Sequence, residues 1–393
     1  NSSSKIYSET NNMEMVADID IRIGLIYINI GKYDDALSLF KKSITYYKKE
    51  KNIIETSSTY GCIGNIYLFQ GKLDEAYEIF EQQYEISKKL DSKLNITTAL
   101  GNMALIDNIY GKYSFALNKF NEILINSEDI NDQMNICKSY GNLGIAHKNL
   151  IEYEDALINF EKQLNISKKS DFKGEQAFAL INIGITLHKQ GKFNLSEKSY
   201  DNAEIIINDI NDINAKSLLH GNKGSLFIVT GNLDKAHKEL LKGKEIFKSL
   251  DNKRGICLSD IKIAEILILN KEYKKANDII SSTYKYLKEI NDLPYYCEAL
   301  IIKSKINRNL SDFDSATDII NEAIQITDKI HSPDLSNHAI INKYIINIQK
   351  DQCKETIAKM NSLMDEKISS EDKAYIQYNI WKYTSSDKAK KSS

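Results

Sequence analysis

GKYDDALSLF fills residues 31–40, GKLDEAYEIF fills 71–80 and GKYSFALNKF fills 111–120. Stepping onward in forties gives IEYEDALINF, GKFNLSEKSY, GNLDKAHKEL, KEYKKANDII and SDFDSATDII, with no insertion or deletion between copies. A ninth, DQCKETIAKM at 351–360, is degenerate but in register. A fixed period held over most of a chain marks a stack of repeats rather than one closed core.

The columns of the repeat say how each unit is built. The sixth column reads Ala36, Ala76, Ala116, Ala156, Ser196, Ala236, Ala276, Ala316 and Thr356. A residue kept this small sits where two helices approach closely. Four residues later stand Phe40, Phe80, Phe120, Phe160, Tyr200, Leu240, Ile280 and Ile320, one turn along the same helix face. Upstream runs a second motif: IRIGLIY (21–27), GCIGNIY (61–67), GNMALID (101–107), GNLGIAH (141–147), INIGITL (181–187) and GNKGSLF (221–227). Its fourth column holds Gly24, Gly64, Ala104, Gly144, Gly184, Gly224, Ala264 and Ser304. A helical glycine costs about 1 kcal/mol against alanine, so these glycines predict close packing that returns more than they cost.

Each unit therefore reads as two antiparallel helices, for example over 94–110 and 114–129. Gly31, Gly71, Gly111, Gly191 and Gly231 are placed to end the first helix in a left-handed conformation. Asp34, Asp74, Asn194 and Asp234 follow and are expected to cap or charge the start of the second helix. Short polar turns such as LDSK, INDQ and SDFK separate the units, and Pro294 and Pro333 fit helix starts.

The small/large spacing, the glycine of the first helix and the G-K-aromatic-x-x-A start of the second resemble tetratricopeptide repeats. The forty-residue unit with its GNLG helix is similar to the longer repeats of spindle adaptors and kinesin light chains. It resembles still more the repeat arms at the C-termini of bacterial signalling proteins. The resemblance covers about residues 12–384 and weakens after Lys271, where the turn glycine is lost and the glycine column becomes Ala264, Ser304 and Tyr344. It implies an all-α solenoid, a right-handed superhelix of helix-turn-helix repeats. Residues 1–11 are expected to be a disordered or truncated end, and 12–370 an array of about nine repeats. Residues 371–393 are expected to hold a terminal helix, aligned over 372–384 and belonging to a truncated repeat or a cap, and then a disordered tail. The opening NSSSK reads as a cut end, and the chain as a fragment.

Composition narrows the function. The net charge is −2 over 393 residues, with lysines and carboxylates interleaved, which argues against an electrostatic nucleic-acid or membrane binder. No apolar run approaches the roughly 18–20 residues of a membrane span. Cys62, Cys137, Cys257, Cys297 and Cys353 form no C-x-x-C pair. Cys137, Cys257 and Cys297 share one column with Ser57, Thr97, Ala177 and Ser217, a small packing position that predicts reduced, buried thiols in a cytoplasmic protein.

The repeated Gly-Lys is not a phosphate loop, which needs G-x-x-x-x-G-K-[ST] after a strand. Six histidines lack the usual metal-ligand spacing, and no nucleophile motif occurs. Neither catalysis, a metal nor a cofactor is expected.

The candidate site is a column of asparagines: Asn102, Asn142, Asn182, Asn222 and, after a gap, Asn342. The resemblance implies that this position faces the concave groove. There an amide offering both donor and acceptor could pair with the backbone of an extended peptide. Asparagine is abundant in this chain and suits any wet face, but four in register favour a ladder. Asn65 lies at its N-terminal edge. Lys148, Asn149, His188 and Lys189 could add charge suited to an acidic peptide or a C-terminal carboxylate, a preference that stays open. Gly61, Gly101, Gly141 and Gly221 are expected to let a ligand approach. After Lys271 the groove columns turn apolar or basic at Ile261, Ile301, Ile302, Lys303 and Lys305, which fits either an interaction surface or a seat for C-terminal helices.

The expected function is a scaffold or sensor arm that holds a protein or peptide segment in the groove. One alternative is the regulatory region of a larger bacterial signalling enzyme, with a cyclase, kinase or NTPase effector domain outside this chain. Another is a receptor for a signalling peptide, which predicts a closed, pocket-like groove and an N-terminal effector bundle that residues 1–12 are too short to supply.

Overall fold

The computed structural model describes residues 13–351, 354–366 and 368–391. Among them are nineteen helices and no strand. In order they are α1 (Met13–Asn29), α2 (Tyr33–Lys49), α3 (Ile53–Phe69), α4 (Leu73–Lys89), α5 (Lys93–Ile109), α6 (Tyr113–Asp129) and α7 (Gln133–Asn149). Then follow α8 (Tyr153–Lys169), α9 (Lys173–Lys189), α10 (Phe193–Ile210), α11 (Ile213–Val229), α12 (Leu233–Ser249) and α13 (Lys253–Leu269). The last six are α14 (Tyr273–Glu289), α15 (Leu293–Asn309), α16 (Phe313–Ile330), α17 (Pro333–Asp351), α18 (Lys354–Leu363) and α19 (Ser370–Lys391). The chain forms two units, residues 1–139 and 140–393.

From α1 to α16 the helices stop where the backbone turns left-handed. Gly31, Gly71, Gly111, Gly191 and Gly231 have φ between 68° and 77°, as their column requires. Lys32 N donates to Tyr27 O at 2.8 Å and Gly31 N to Ile28 O at 3.0 Å, the paired bonds of a Schellman end. The turns between repeats use the same device without glycine. Asp91, Asn131, Asp171, Asn211, Asp251 and Asn291 sit at φ 49–55°, a region that Asn and Asp tolerate better than other side chains. Asp34 and Asp74 do not cap their helices: Lys32 and Lys72 occupy the cap positions, and the two aspartates lie in the first turn. There they complement the helix dipole and tie neighbouring repeats, accepting from Gln70 Nε2 at 3.2 Å and Tyr110 OH at 2.7 Å.

The small column is buried throughout. Ala36, Ala76, Ala116, Ala156, Ala236, Ala276 and Ala316 have no exposed surface. A β-carbon on Gly64 would come within 2.5 Å of the Phe80 ring, and one on Gly144 within 2.5 Å of Phe160. The helical glycines thus make room for the large residue of the second helix. Where serine replaces a small residue it also fits: Ser196 Oγ donates to Gly184 O at 2.7 Å, and Ser304 Oγ to Ala316 O at 2.8 Å. The thiol column is buried at Cys137, Cys257 and Cys297, and Cys62 is half-buried; Cys353 lies outside the described residues.

The ninth second helix, α18, is ten residues long, against seventeen for most of the others. The segment after it closes a C-terminal core of Ile341, Ile345, Ile348, Met360, Leu363, Ile368 and Ile376. The last helix is longer than expected. The tail read as disordered is helical as far as Lys391, and residues 392–393 and 1–11 lie outside the described residues.

Candidate functional site

Within residues 140–393, successive first helices pack directly on one another, α9 on α11, α11 on α13, α13 on α15, α15 on α17 and α17 on α19. Their shared face forms a half-open cavity of about 380 Å³. The column that holds Asn142, Asn182 and Asn222 upstream continues as Lys262, Ile302 and Asn342, and all three of these line the cavity.

Apolar walls come from Ile261, Ile301, Ile302 and Ile341, each at most 5% exposed. Lys303, grouped with them in the sequence, points elsewhere: it bonds Asn277 and Ser281 on α14. The charged walls are paired. Lys305 Nζ stands 3.4 Å from Glu265 and Lys262 Nζ 3.8 Å from Glu298. Tyr375 of α19 lies under Lys305, 5.7 Å from ring centre to Nζ.

One contact closes the wall across a long stretch of chain. Lys189, at the end of α9, reaches Asp334 of α17 at 3.2 Å and Glu371 of α19 at 3.8 Å. Burial alone would raise the Asp334 carboxyl, but Lys189 and His338 outweigh it and hold it down to about 2. Beside this pair, His338 Nε2 stands 3.1 Å from Asp372 Oδ1. The turn after α9 also meets α19, since a β-carbon on Gly191 would touch Ser370 at 3.6 Å. The N-terminal end of α19 is therefore seated across the inner face, and Ile301 and Ile302 line the cavity it borders.

The other predicted residues are spread more widely. Asn65 and Asn102 belong to the unit of residues 1–139, Asn65 exposed and Asn102 half-buried. In the second unit Asn142 and Asn149 are half-buried. The amides of Asn182 and Asn222 donate back to their own helices, to Phe178 O at 3.1 Å and Leu218 O at 3.0 Å. Neither lines the cavity. His188 is turned inward, edge-on to Phe193 at 5.9 Å, and burial drops its pKa to about 4. Lys148 is lowered to about 8 by burial, with the charge of Lys189 adding to the effect. Of the predicted residues, Lys189 and Asn342 line the cavity together with Ile261, Ile301, Ile302 and Lys305, and the charge of Lys189 is already matched by two carboxylates.

Gly61 and Gly141 do not open the groove. Added β-carbons would strike Gln83 at 2.9 Å and Gln163 at 2.7 Å, so glutamine side chains fill the space. Gly221 faces open space. Asp334, His338, Glu371, Asp372 and Tyr375 were not visible as site residues, because they come from the degenerate end of the array. Charges appearing at 262, 265 and 305, in columns that are polar or apolar upstream, were the available signal.

Tetratricopeptide repeat models match residues 21–50 and 55–124. These are tetratricopeptide repeats. No curated protein sequence matches the chain significantly. The tetratricopeptide fold is shared with a Rap protein complexed with competence and sporulation factor (TM-score 0.57, 13% identity, 81% of this chain and 99% of that one). It is shared as well with the Rap conjugation gene regulator of plasmid pLS20 in complex with the Phr* peptide (0.58, 12%, 81% and 95%). A tetratricopeptide repeat protein from Parabacteroides merdae aligns at 0.53, with 18% identity, over 72% of this chain and 98% of that one. Among the described residues, no helix is long and apolar enough to cross a membrane.

Proposed function

We propose that the chain is a peptide-binding module whose ligand lies on the inner face of the first helices, with its anchor in the cavity of the second unit. The observation that carries this reading is the cavity itself: apolar at Ile261, Ile301 and Ile302, polar at Asn342, and walled by first helices of five repeats and α19. An extended segment would place an apolar side chain there and run its backbone toward Asn222, Asn182 and Asn142. The amides of Asn182 and Asn222 would exchange their bonds to Phe178 O and Leu218 O for bonds to the ligand, at little net cost. The module has no catalytic role of its own in this reading, and Cys137, Cys257 and Cys297, buried and outside any disulfide, suit a reducing cytoplasm.

Of the two regulatory readings, a signalling-peptide receptor gains support from a cavity walled by the first helices of five repeats and α19, which an open scaffold groove does not require. Two proteins sharing the fold form complexes, one with the Phr* peptide and one with competence and sporulation factor. The regulatory arm of a larger enzyme remains compatible with the same cavity.

The test is selection of short peptides from a random library on the full chain, followed by binding measured by fluorescence anisotropy. Ile302→Glu should abolish binding of the selected peptides, and Asn182→Ala with Asn222→Ala should weaken it several-fold. Selected peptides that bind both variants as they bind the parent would refute the site, and failure to select any would refute the function.

A further inference from the structure

Beyond the peptide reading, and independent of it, the donor set beside the closing contact points to a divalent metal. We propose that Asp334, His338 and Asp372 bind one zinc-like cation at the edge of the cavity.

Asp334 and His338 lie one turn apart on α17 and so share a face, and Asp372 enters from α19. Their donor atoms all lie within 4.8 Å of one another. Ligands at about 2.0–2.2 Å from a tetrahedral zinc stand roughly 3.3–3.6 Å apart, so modest side-chain rotation closes the set. A second observation concerns the free valences. Asp334 binds Lys189 through Oδ2, and its Oδ1 is buried with no hydrogen-bond partner. Asp372 is held from behind, where Ser369 Oγ donates to Oδ2 at 2.9 Å, so Oδ1 is left to face His338. Each carboxylate is thus oriented by one oxygen and presents the other, the outer-sphere arrangement that metal ligands need.

One imidazole nitrogen and two carboxylate oxygens, with the open cavity supplying water, suit zinc or cobalt better than magnesium or calcium, which prefer oxygen alone. The surrounding charge agrees. Glu371 adds a third carboxylate, and among the described residues Lys189 is the ammonium in salt-bridge contact with this group, while Lys148 acts on Asp334 and Lys262 on Glu371 from farther off. The cation would join α17 to α19 at the place where α9 closes onto both. The sequence conceals the set because Asp372 lies far along the chain from the other two.

Zinc chloride alone, titrated into the full chain by calorimetry, should bind with one-to-one stoichiometry and raise the melting temperature reversibly with chelator. Asp334→Asn and His338→Gln should each weaken binding at least tenfold, while Glu371→Gln, in the same cavity, should change it less than threefold. Melting in chelator establishes whether each variant folds. Should His338→Gln fail to fold, the absorption of the cobalt-loaded parent decides, since a nitrogen-containing site of low coordination gives strong visible bands. Absence of saturable binding, equal binding by Asp334→Asn and parent, or a weak six-oxygen cobalt spectrum would each overturn the site.

Discussion

Gly64→Ala separates two effects that usually act together. As a helix interior residue, alanine gains about 1 kcal/mol over glycine. The added β-carbon, however, would stand 2.5, 2.7 and 2.8 Å from Cε1, Cζ and Cδ1 of Phe80. Phe80 is fully buried, so the ring has no solvent to swing into, and it must retreat by about 1 Å to reach ordinary contact. Forcing a methyl into a packed core costs about 1–3 kcal/mol, and here the ring and the helix carrying Ala76 must shift together. Repeat three shows what a unit built around alanine looks like: Ala104 and Phe120 are both buried there. The measured cost is therefore that of rebuilding a unit spaced for glycine. With the cost at the upper end of that range, about 3 kcal/mol, against a gain of about 1, we expect Gly64→Ala to lose about 2 kcal/mol net. Gly174→Ala is the matched control, because it is exposed, helical, and has nothing within 4 Å of an added β-carbon. It should gain up to about 1 kcal/mol. Urea midpoints of the two variants should move in opposite directions, with amide exchange speeding in α3 and α4 for Gly64→Ala alone. If Gly64→Ala matches or exceeds the parent, the glycine column is not set by helix approach.

Other expectations concern the closing contact, the thiols and acid stability. Lys189→Ala should loosen α19, seen as faster amide exchange over 370–380. Its cost should be about 1 kcal/mol, because the partner side chains of Asp334 and Glu371 keep 39% and 34% of their surface in water. Burial pushes the Cys297 thiol up to about 12 and Cys257 to about 11, so at pH 8 iodoacetamide should label both far more slowly in the native state than in urea. Rapid native labelling of either would contradict the packing column. Burial works to raise the Glu239 carboxyl, but Lys242 and His220 outweigh it and leave it lowered. Its contribution is full above the unfolded glutamate pKa and fades as pH falls through the lower folded value. Glu239→Gln should therefore reduce stability at neutral pH and flatten its fall in acid, as followed by circular dichroism.

The repeat, the helix pairs and the packing columns were legible because each is a local regularity written many times over. Ala36 and Phe40 recur at fixed spacing, and helix geometry converts that spacing into a shared face. The left-handed residues between repeats were less legible, since Asp91 and Asn131 carry no signal as strong as glycine's. Least legible was the cavity. Lys189 meets Asp334 and Glu371 only because the curvature of successive pairs adds up over four repeats, and no single column encodes a sum. Of the asparagine column, Asn342 lines the cavity, while Asn182 and Asn222 bond back to their own helices. The walls that close the space are built from units where the pattern decays, and a method that reads regularity loses sight of them there.

The left-handed residues recur at every twentieth position from Gly31 to His331, so both kinds of turn fall at the same spacing. The chain thus keeps two clocks, one of twenty residues for its path and one of forty for its chemistry. Deleting forty residues returns both clocks to phase and shortens the array without changing any neighbour's face. Deleting twenty satisfies the path alone, and it would send every later groove-facing helix to the outside. Gain or loss of length in such a lineage is therefore quantised in pairs of helices, although every single turn would permit less.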